Sequence, residues 1–208
     1  MVQVQNLTYQ FSGGTRLNFP NWQVNRGDHA LILGPSGGGK TTFLHLLSGL
    51  TAVQSGSIVI NDVNLGSLSG SQLDRFRGKH IGFVFQTPHL IDALTVEENV
   101  ELANFFGRKP EKKAAIQSVL KDLGIDQLAK RKIHEISQGQ AQRVAIARAV
   151  INQPDFIIGD EPTASLDDDS CKAVISLLKK QAEDCGATLI IATHDSRVKS
   201  EFPNQLML

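Results

Sequence analysis

Gly34-Pro35-Ser36-Gly37-Gly38-Gly39-Lys40-Thr41-Thr42 is the stretch whose reading decides the fold of this chain. It satisfies the pattern G-x-x-x-x-G-K-[ST]. The apolar run Ala30-Leu31-Ile32-Leu33 precedes it, and Phe43-Leu44-His45-Leu46-Leu47-Ser48, closed by Gly49, follows it. A buried strand, a glycine-rich loop and a helix in that order make a phosphate-binding loop. Glycines let consecutive backbone N–H groups curl inward into an anion nest. The helix adds its unpaired N-terminal donors and positive dipole end at the same point. In such a loop Lys40 reaches the β- and γ-phosphates, and the Thr41 hydroxyl sits on Mg²⁺. The ordinary alternative is a glycine-rich turn that binds nothing, but average residue frequencies make this pattern between a strand and a helix rare by chance. The stretch predicts a nucleotide site.

The bulk properties narrow what such a site serves. A length of 208 residues suits one large domain, or a core with a subdomain. Lysine plus arginine balances aspartate plus glutamate at 21 each, so no basic field advertises nucleic acid. Cys171 and Cys185 form no disulfide framework and no metal spacing, which points to a reducing cytosol. The start Met1-Val-Gln-Val-Gln-Asn has neither the charge nor the apolar core of a signal peptide, and no run is long enough to span a bilayer. Any membrane role is expected to come through a partner.

Working outward, Val2, Val4 and Leu7 predict an edge-type strand continued by Tyr9 and Phe11. Phe19–Val24 reads as a second strand leading into Ala30–Leu33, with further strands at Ile58–Ile60 and Ile81–Phe85, leaving the first segment strand-rich with one helix. Texture then changes. Val96–Phe106, Lys112–Leu123 and Gln140–Val150 read as helices, so residues 87–150 form a helical insertion. Buried strands return at Phe156–Ile158 and Thr188–Ala192, with a helix over Asp169–Lys180 between them. Strand–helix–strand alternation predicts an α/β fold with a parallel sheet.

The acidic half of the site follows from Phe156-Ile-Ile-Gly-Asp160-Glu161, a hydrophobic strand that delivers two carboxylates at its C-terminal end, where ligands of open α/β sheets sit. Asp160 is the natural partner for Mg²⁺, which leaves Glu161 to orient or deprotonate a water. An exposed Asp-Glu turn is the ordinary reading of such a pair, but the phosphate loop upstream favours the functional one. His194-Asp195 comes to the same sheet edge after Leu189–Ala192.

With Ile136-Ser137-Gln138-Gly139-Gln140-Ala-Gln-Arg143, the chain resembles the ATP-binding subunits of ABC transporters, whose signature reads Leu-Ser-Gly-Gly-Gln. The resemblance also takes in the phosphate loop, Gln86 in Gly-Phe-Val-Phe-Gln, Asp160-Glu-Pro-Thr163, Ala164-Ser-Leu-Asp167 and Thr193-His194-Asp195, all in the family's order. It covers nearly the whole chain. Ile81–Gln86 and Leu94–Val100 place it nearest the subgroup serving lipoprotein release, macrolide and peptide export, and cell division.

The resemblance implies a P-loop NTPase core with an N-terminal antiparallel β subdomain and a helical subdomain. In one domain over residues 1–208, 1–86 and 151–208 form the core and 87–150 the helical part. It implies ATP and Mg²⁺ as ligands, with Gly34 through Thr42 holding phosphate. Thr41, Asp160 and Gln86 would hold the metal, Glu161 would be the catalytic base, and His194 the γ-phosphate sensor. Gln86 would also touch the attacking water and sense a membrane partner. Ser137, Gly139 and Gln140 would close over the γ-phosphate of an opposite subunit, and Asp167 would cross that interface. An aromatic near the N-terminus would stack on adenine. Phe11 fits the family's spacing best, Tyr9 is the second choice, and simple core packing remains open for either.

Three departures stand out. Gln138 occupies the first signature glycine's place, which questions any need there for positive φ. Phe11 replaces a tyrosine and keeps its ring face. The chain stops at Leu208, earlier than most such proteins, so the final strand pair is expected to be shortened or absent.

The implied function is an ATPase subunit that powers a separate transmembrane permease. It would work as a head-to-tail, ATP-sandwiched homodimer, or paired with a related ATPase subunit, on the cytoplasmic face of the inner membrane. The alternative is a regulator of a membrane protein, of the cell-division type. DNA-repair relatives insert a long coiled coil between loop and signature, for which Lys40–Ser137 has no room, and translation-factor relatives carry two cassettes. A short partner helix is expected to dock around Thr87-Pro88-His89-Leu90-Ile91-Asp92, unless Leu90 and Ile91 belong to the core.

Overall fold

A computed structural model describes residues 1–107, 113–164 and 166–208 of the chain. Strand β1 (Val2–Gln10) lies inside a sheet rather than at its edge. It pairs antiparallel with β2 (Arg16–Asn18), with β3 (Trp22–Val24) and, further on, with β5. The strand expected over Phe19–Val24 is confined to Trp22–Val24; β2 lies before that range, and Pro20, which has no N–H to give a ladder, stands in the break between the two. A register shift between Gln5 and Thr8 adds one residue to β1, so that Val2, Val4 and Leu7 all face the core despite the odd spacing.

The phosphate-loop strand β4 (Ala30–Leu33) is buried throughout and runs into α1 (Lys40–Leu47). Gly39, the residue before the helix, has φ of 92°, a left-handed conformation that a side chain would strain. Next come β5 (Ser55–Ile60) and β6 (Val63–Asn64), which complete the antiparallel sheet. A second helix, α2 (Gly70–His80), follows in the segment expected to hold only one. Phe76 is its single buried residue, so it shows almost no apolar stripe, yet Ser69 and Gln72 form a capping box that starts it.

The helical part comprises α3 (Val96–Phe106), α4 (Lys113–Asp122) and α5 (Gln138–Val150), reached from β7 (Ile81–Val84). Lys112, the expected start of the second of these helices, lies outside the described residues. So does Ser165 of the Ala164–Asp167 motif. Helix α5 lies close against β7: a Cβ at Gly82 would collide with the Ala149 carbonyl oxygen. Then come β8 (Phe156–Asp160), α6 (Asp168–Cys185), β9 (Thr188–Thr193) and β10 (Asn204–Met207). Of the final strand pair expected to be shortened or absent, one strand is formed among the described residues: β10 pairs in parallel with β4, while Phe202 and Leu206 are buried.

The parallel sheet runs β10-β4-β9-β8-β7. It is covered on both faces, because alternate residues of each strand feed different apolar clusters. Leu31, Leu33, Ile157 and Ile191 join Ala147, Ile175 and Leu178 from α5 and α6. Ala30, Ile32, Ile158 and Ile190 join Phe43 and Leu47 of α1 and the inner face of the antiparallel sheet. Each fully buried Leu, Ile or Phe side chain contributes about 1.5–3 kcal/mol. That burial fixes the strands against one another, so that register sets which residues reach the sheet's C-terminal edge.

Candidate functional site

Four neighbouring parallel strands end at one edge, and strand register decides what meets there. Leu33 pairs with Thr193, Asp160 with Ala192, and Val84 with Gly159. The residues just beyond these partners are Gly34, His194, Glu161 and, a little further on, Gln86. The C-terminal edge of a parallel sheet is where such folds bind their ligands.

The phosphate loop is shaped as its glycines require, with Gly37 and Gly39 both at positive φ. Lys40 is buried, and its Nζ donates to the carbonyls of Gly34 (3.1 Å) and Pro35 (3.0 Å). The same ammonium lies 3.4 Å from Glu161 Oε1. The loop thus holds a buried ammonium at the start of α1, where a positive charge and the helix's N-terminal donors together suit a polyanion.

Asp160 closes β8 and is 6% exposed. Burial holds its carboxyl above the usual carboxylate value of 3.8, with a hydrogen bond from Thr41 working against the rise. Its Oδ1 has no hydrogen-bond partner. A buried, unpartnered carboxylate oxygen beside a threonine hydroxyl fits a divalent cation of the Mg²⁺ kind, which takes one or two protein oxygens and completes its shell with phosphate and water.

Glu161 adopts φ of 49°. A non-glycine residue pays for that conformation and keeps it where surrounding structure enforces it. Here its backbone N–H is bound by the Ala192 carbonyl at 2.8 Å. The turn aims the carboxylate at the loop, where His194 Nδ1 lies 2.9 Å from Oε1 and Lys40 lies on the other side. His194 itself is largely exposed, so little packing restrains its ring.

The other candidates lie apart from this group. Ser137 caps α5: its Oγ accepts from Gln140 N at 3.3 Å, and Gln140 Oε1 accepts from Ser137 N at 2.8 Å. Gln138 and Gly139 are helical and exposed, neither has positive φ, and a Cβ at Gly139 would touch nothing within 4 Å. Glutamine in place of the first signature glycine therefore strains nothing. Gln86 is exposed and shares a cavity of about 140 Å³ with Gln138, Gly139 and Pro162. Asp167 accepts from Ser170 N (2.9 Å) and Ser170 Oγ (2.7 Å), capping α6, and these bonds hold its carboxyl below the usual range.

Tyr9 is half-buried against the core and pairs with Leu17, whose side chain packs on Gly39. Phe11 stands edge-on to Tyr9 at 5.0 Å and, at 41% exposed, is the more open of the two rings.

Sequence reading alone misses the buried Gln142, whose Nε2 donates to the Pro162 carbonyl at 3.4 Å and ties the signature helix to the Glu161 turn. It also misses the conformation of Glu161. Pro162 restricts the residue before it, but does not say where that residue goes.

A second, larger groove of about 920 Å³ lies between α2, β7, α3 and α5. Leu50, Phe85, Phe105 and Phe106 line it, and Phe105 and Phe106 are 73% and 69% exposed. The expected docking residues do not line it. Leu90 packs against the core, whereas Ile91, tied by its backbone to Asn99, keeps its side chain 47% exposed.

Anion donors on one side and a carboxylate held by a histidine on the other suit cleavage of a nucleotide's terminal phosphate, and the fold and site define a P-loop nucleotide hydrolase. Comparison with known proteins narrows the class. The family model described as ABC transporter matches residues 17–164. The lipoprotein-releasing system ATP-binding protein LolD of Syntrophotalea carbinolica is 37% identical over 95% of this chain and 90% of its own. The ABC transporter ATP-binding protein YtrE of Bacillus subtilis is 39% identical over 96% of this chain and 91% of its own. A dimeric, post-hydrolysis structure of the ATP-binding cassette MJ0796 bound to ADP and Pi superimposes with a TM-score of 0.90 at 34% identity, over 100% of this chain and 94% of that one. The chain belongs to the ABC transporter family. It is an ATP-binding cassette that hydrolyses ATP to ADP and phosphate.

Proposed function

We propose that this chain powers a separate transmembrane permease, with two cassettes closing head to tail over ATP. The carrying observation is that Ser137, Gln138 and Gly139 stand exposed at the start of α5, and that the cavity lined by Gln138 and Gly139 is shared with Gln86 and Pro162 rather than with Gly34–Thr42. A helix N-terminus built for an anion and turned away from its own phosphate loop has a use when it meets a second chain's nucleotide. The dimeric MJ0796 cassette supports that arrangement for a relative.

Within each site the loop N–H groups and Lys40 receive the β- and γ-phosphates, and Phe11 offers its ring to adenine. Thr41 and Asp160 hold Mg²⁺, with Gln86 as a further ligand once the site closes; the ion supplies charge neutralisation at the phosphates. Glu161 takes the proton of the attacking water while His194 keeps its carboxylate aimed. Asp167, at the head of α6, faces the second chain. Residues 87–150 act as a unit carrying the signature against a core of 1–86 and 151–208.

The permease reaches the cassette at the groove of Leu50, Phe85, Phe105 and Phe106, whose exposed aromatic rims suit an amphipathic helix. Among the described residues no helix is long and apolar enough to cross a membrane. Attachment at the cytoplasmic face of the inner membrane is thus through the partner. The names of LolD and YtrE agree with such a role.

Mixing two inactive variants tests the sandwich. Lys40→Ala protomers keep a good signature, and Ser137→Arg protomers keep a good loop. Their mixture restores one intact site per heterodimer, and ATPase activity rises above the sum of the separate samples. A mixture no more active than that sum rules the composite site out.

A further inference from the structure

The loop after β8 and the turn after β9 carry Glu161, Asp167 and His194 between them, and one side chain fastens the loop to the turn. Arg197 sits just past His194, in the short 3-10 helix Ser196–Glu201. On its own side it grips Asp195: Nε donates to Oδ1 at 2.9 Å and Oδ2 at 3.0 Å, and Nη2 donates to Oδ2 at 2.7 Å. Across the gap Nη1 donates to Asp168 Oδ1 at 2.6 Å, and both Nη1 and Nη2 donate to the Leu166 carbonyl at 3.2 Å. Asp195 is anchored in turn by its own N–H, which donates to Thr193 Oγ1 at 3.0 Å.

The geometry explains why the residue is arginine. A planar guanidinium presents its donors in a fixed fork, which reaches two carboxylates and a carbonyl at once; an ammonium is a point charge without that shape. Exposed ion pairs between single side chains contribute little, because solvent screens them and the chains must be immobilised. This bridge differs in kind, since it joins two backbone segments and includes a backbone carbonyl. His194 has the opposite problem. Its side chain is 62% exposed, so its place beside Glu161 depends on the backbone of its turn.

We propose that Arg197 is a positioning residue for hydrolysis. By bridging Asp195 to Leu166 and Asp168, it holds His194 within hydrogen-bonding reach of Glu161 and sets Asp167 in fixed relation to both. The inference rests on the reading of Glu161 and His194 as the hydrolytic pair. Arg197 touches neither the phosphate loop nor Asp160, so its effect falls on turnover rather than on nucleotide binding.

The test uses the full chain, MgATP, and three readouts: kcat, KM and the thermal midpoint. Arg197→Met keeps the stem and removes the fork. It lowers kcat about tenfold with KM for ATP changed less than about twofold, as small misplacements of a catalytic group do. Arg197→Lys recovers only part of the loss, and adding Asp168→Asn to Arg197→Met costs nothing further, because the bond is already gone. The proposal is overturned by wild-type kcat in Arg197→Met, by full rescue with lysine, or by a rise in KM that parallels a falling thermal midpoint. Glu161→Gln and His194→Ala, run alongside, report on the premise. Should both turn over at the wild-type rate, the hydrolytic-pair reading is what fails. Should both be inactive while Arg197→Met is normal, the bridging role alone fails.

Discussion

Replacing Glu161 by glutamine separates the site's chemistry from its architecture. The amide keeps the side chain's shape and leaves an oxygen to accept from His194 Nδ1, now 2.9 Å from Oε1. What disappears is a group able to take a proton in the transition state. General-base catalysis contributes about 10²–10⁴-fold, so turnover is expected to fall by that factor, about 3–5 kcal/mol of barrier.

The fold loses less. The ion pair with Lys40 at 3.4 Å is broken between side chains only 6% and 13% exposed, but Lys40 retains the Gly34 and Pro35 carbonyls. A loss of about 1–2 kcal/mol in the nucleotide-free protein follows, roughly 3–6 °C in thermal midpoint for a chain of this size. MgATP at about a hundredfold its dissociation constant returns about 2.7 kcal/mol, more than was lost. The assays are phosphate release under saturating MgATP, thermal melting with and without nucleotide, and size-exclusion chromatography. The expected result is an ATP-stabilised, slowly hydrolysing dimer. Turnover at the wild-type rate refutes the role of Glu161 and the mechanism built on it.

Two further expectations follow from the same geometry. Because burial raises the Asp160 carboxyl above 3.8, the folded state favours its protonated form. This group therefore supports folding below its unfolded pKa and loses that support as pH rises through the raised value. Once ionised it is a buried charge that costs stability. Asp160→Asn should raise the thermal midpoint of the nucleotide-free protein at pH 7 while Mg²⁺-dependent ATPase activity collapses; a lower midpoint would contradict the account. At the groove, Phe105→Ser with Phe106→Ser changes side chains that are 73% and 69% exposed, so basal ATPase and melting should stay within about 0.5 kcal/mol of wild type. Stimulation by the reconstituted permease should fall, and unchanged stimulation removes the groove from the interface.

Much of the site is legible in the sequence, because its parts are short-range. The loop Gly34–Thr42 announces itself by spacing, and β4, β8 and β9 by unbroken apolar runs that a sheet buried on both faces demands. Helix α3 shows its face and its cap, Thr95 with Glu98, within a few residues. The elements misread are those whose cause lies far along the chain. Helix α2 buries only Phe76 and is recognisable mainly by its capping box. β10 alternates weakly and becomes a strand because β4 offers it an open edge.

Functional placement divides the same way. Residue type and motif order make Lys40, Asp160, Glu161 and His194 candidates, but only strand register sets their order along one edge. Glu161's left-handed backbone is imposed by its bond to Ala192, and the fork of Arg197 closes over residues some thirty positions earlier. The large groove likewise has walls from α2, β7, α3 and α5, which no sequence window contains together. Propensity, hydrophobic period and loop chemistry act over a turn or a strand, so the chain by itself determines its elements and its reactive groups. Which faces meet, and so which of those groups touch, is decided when distant apolar surfaces are buried against one another.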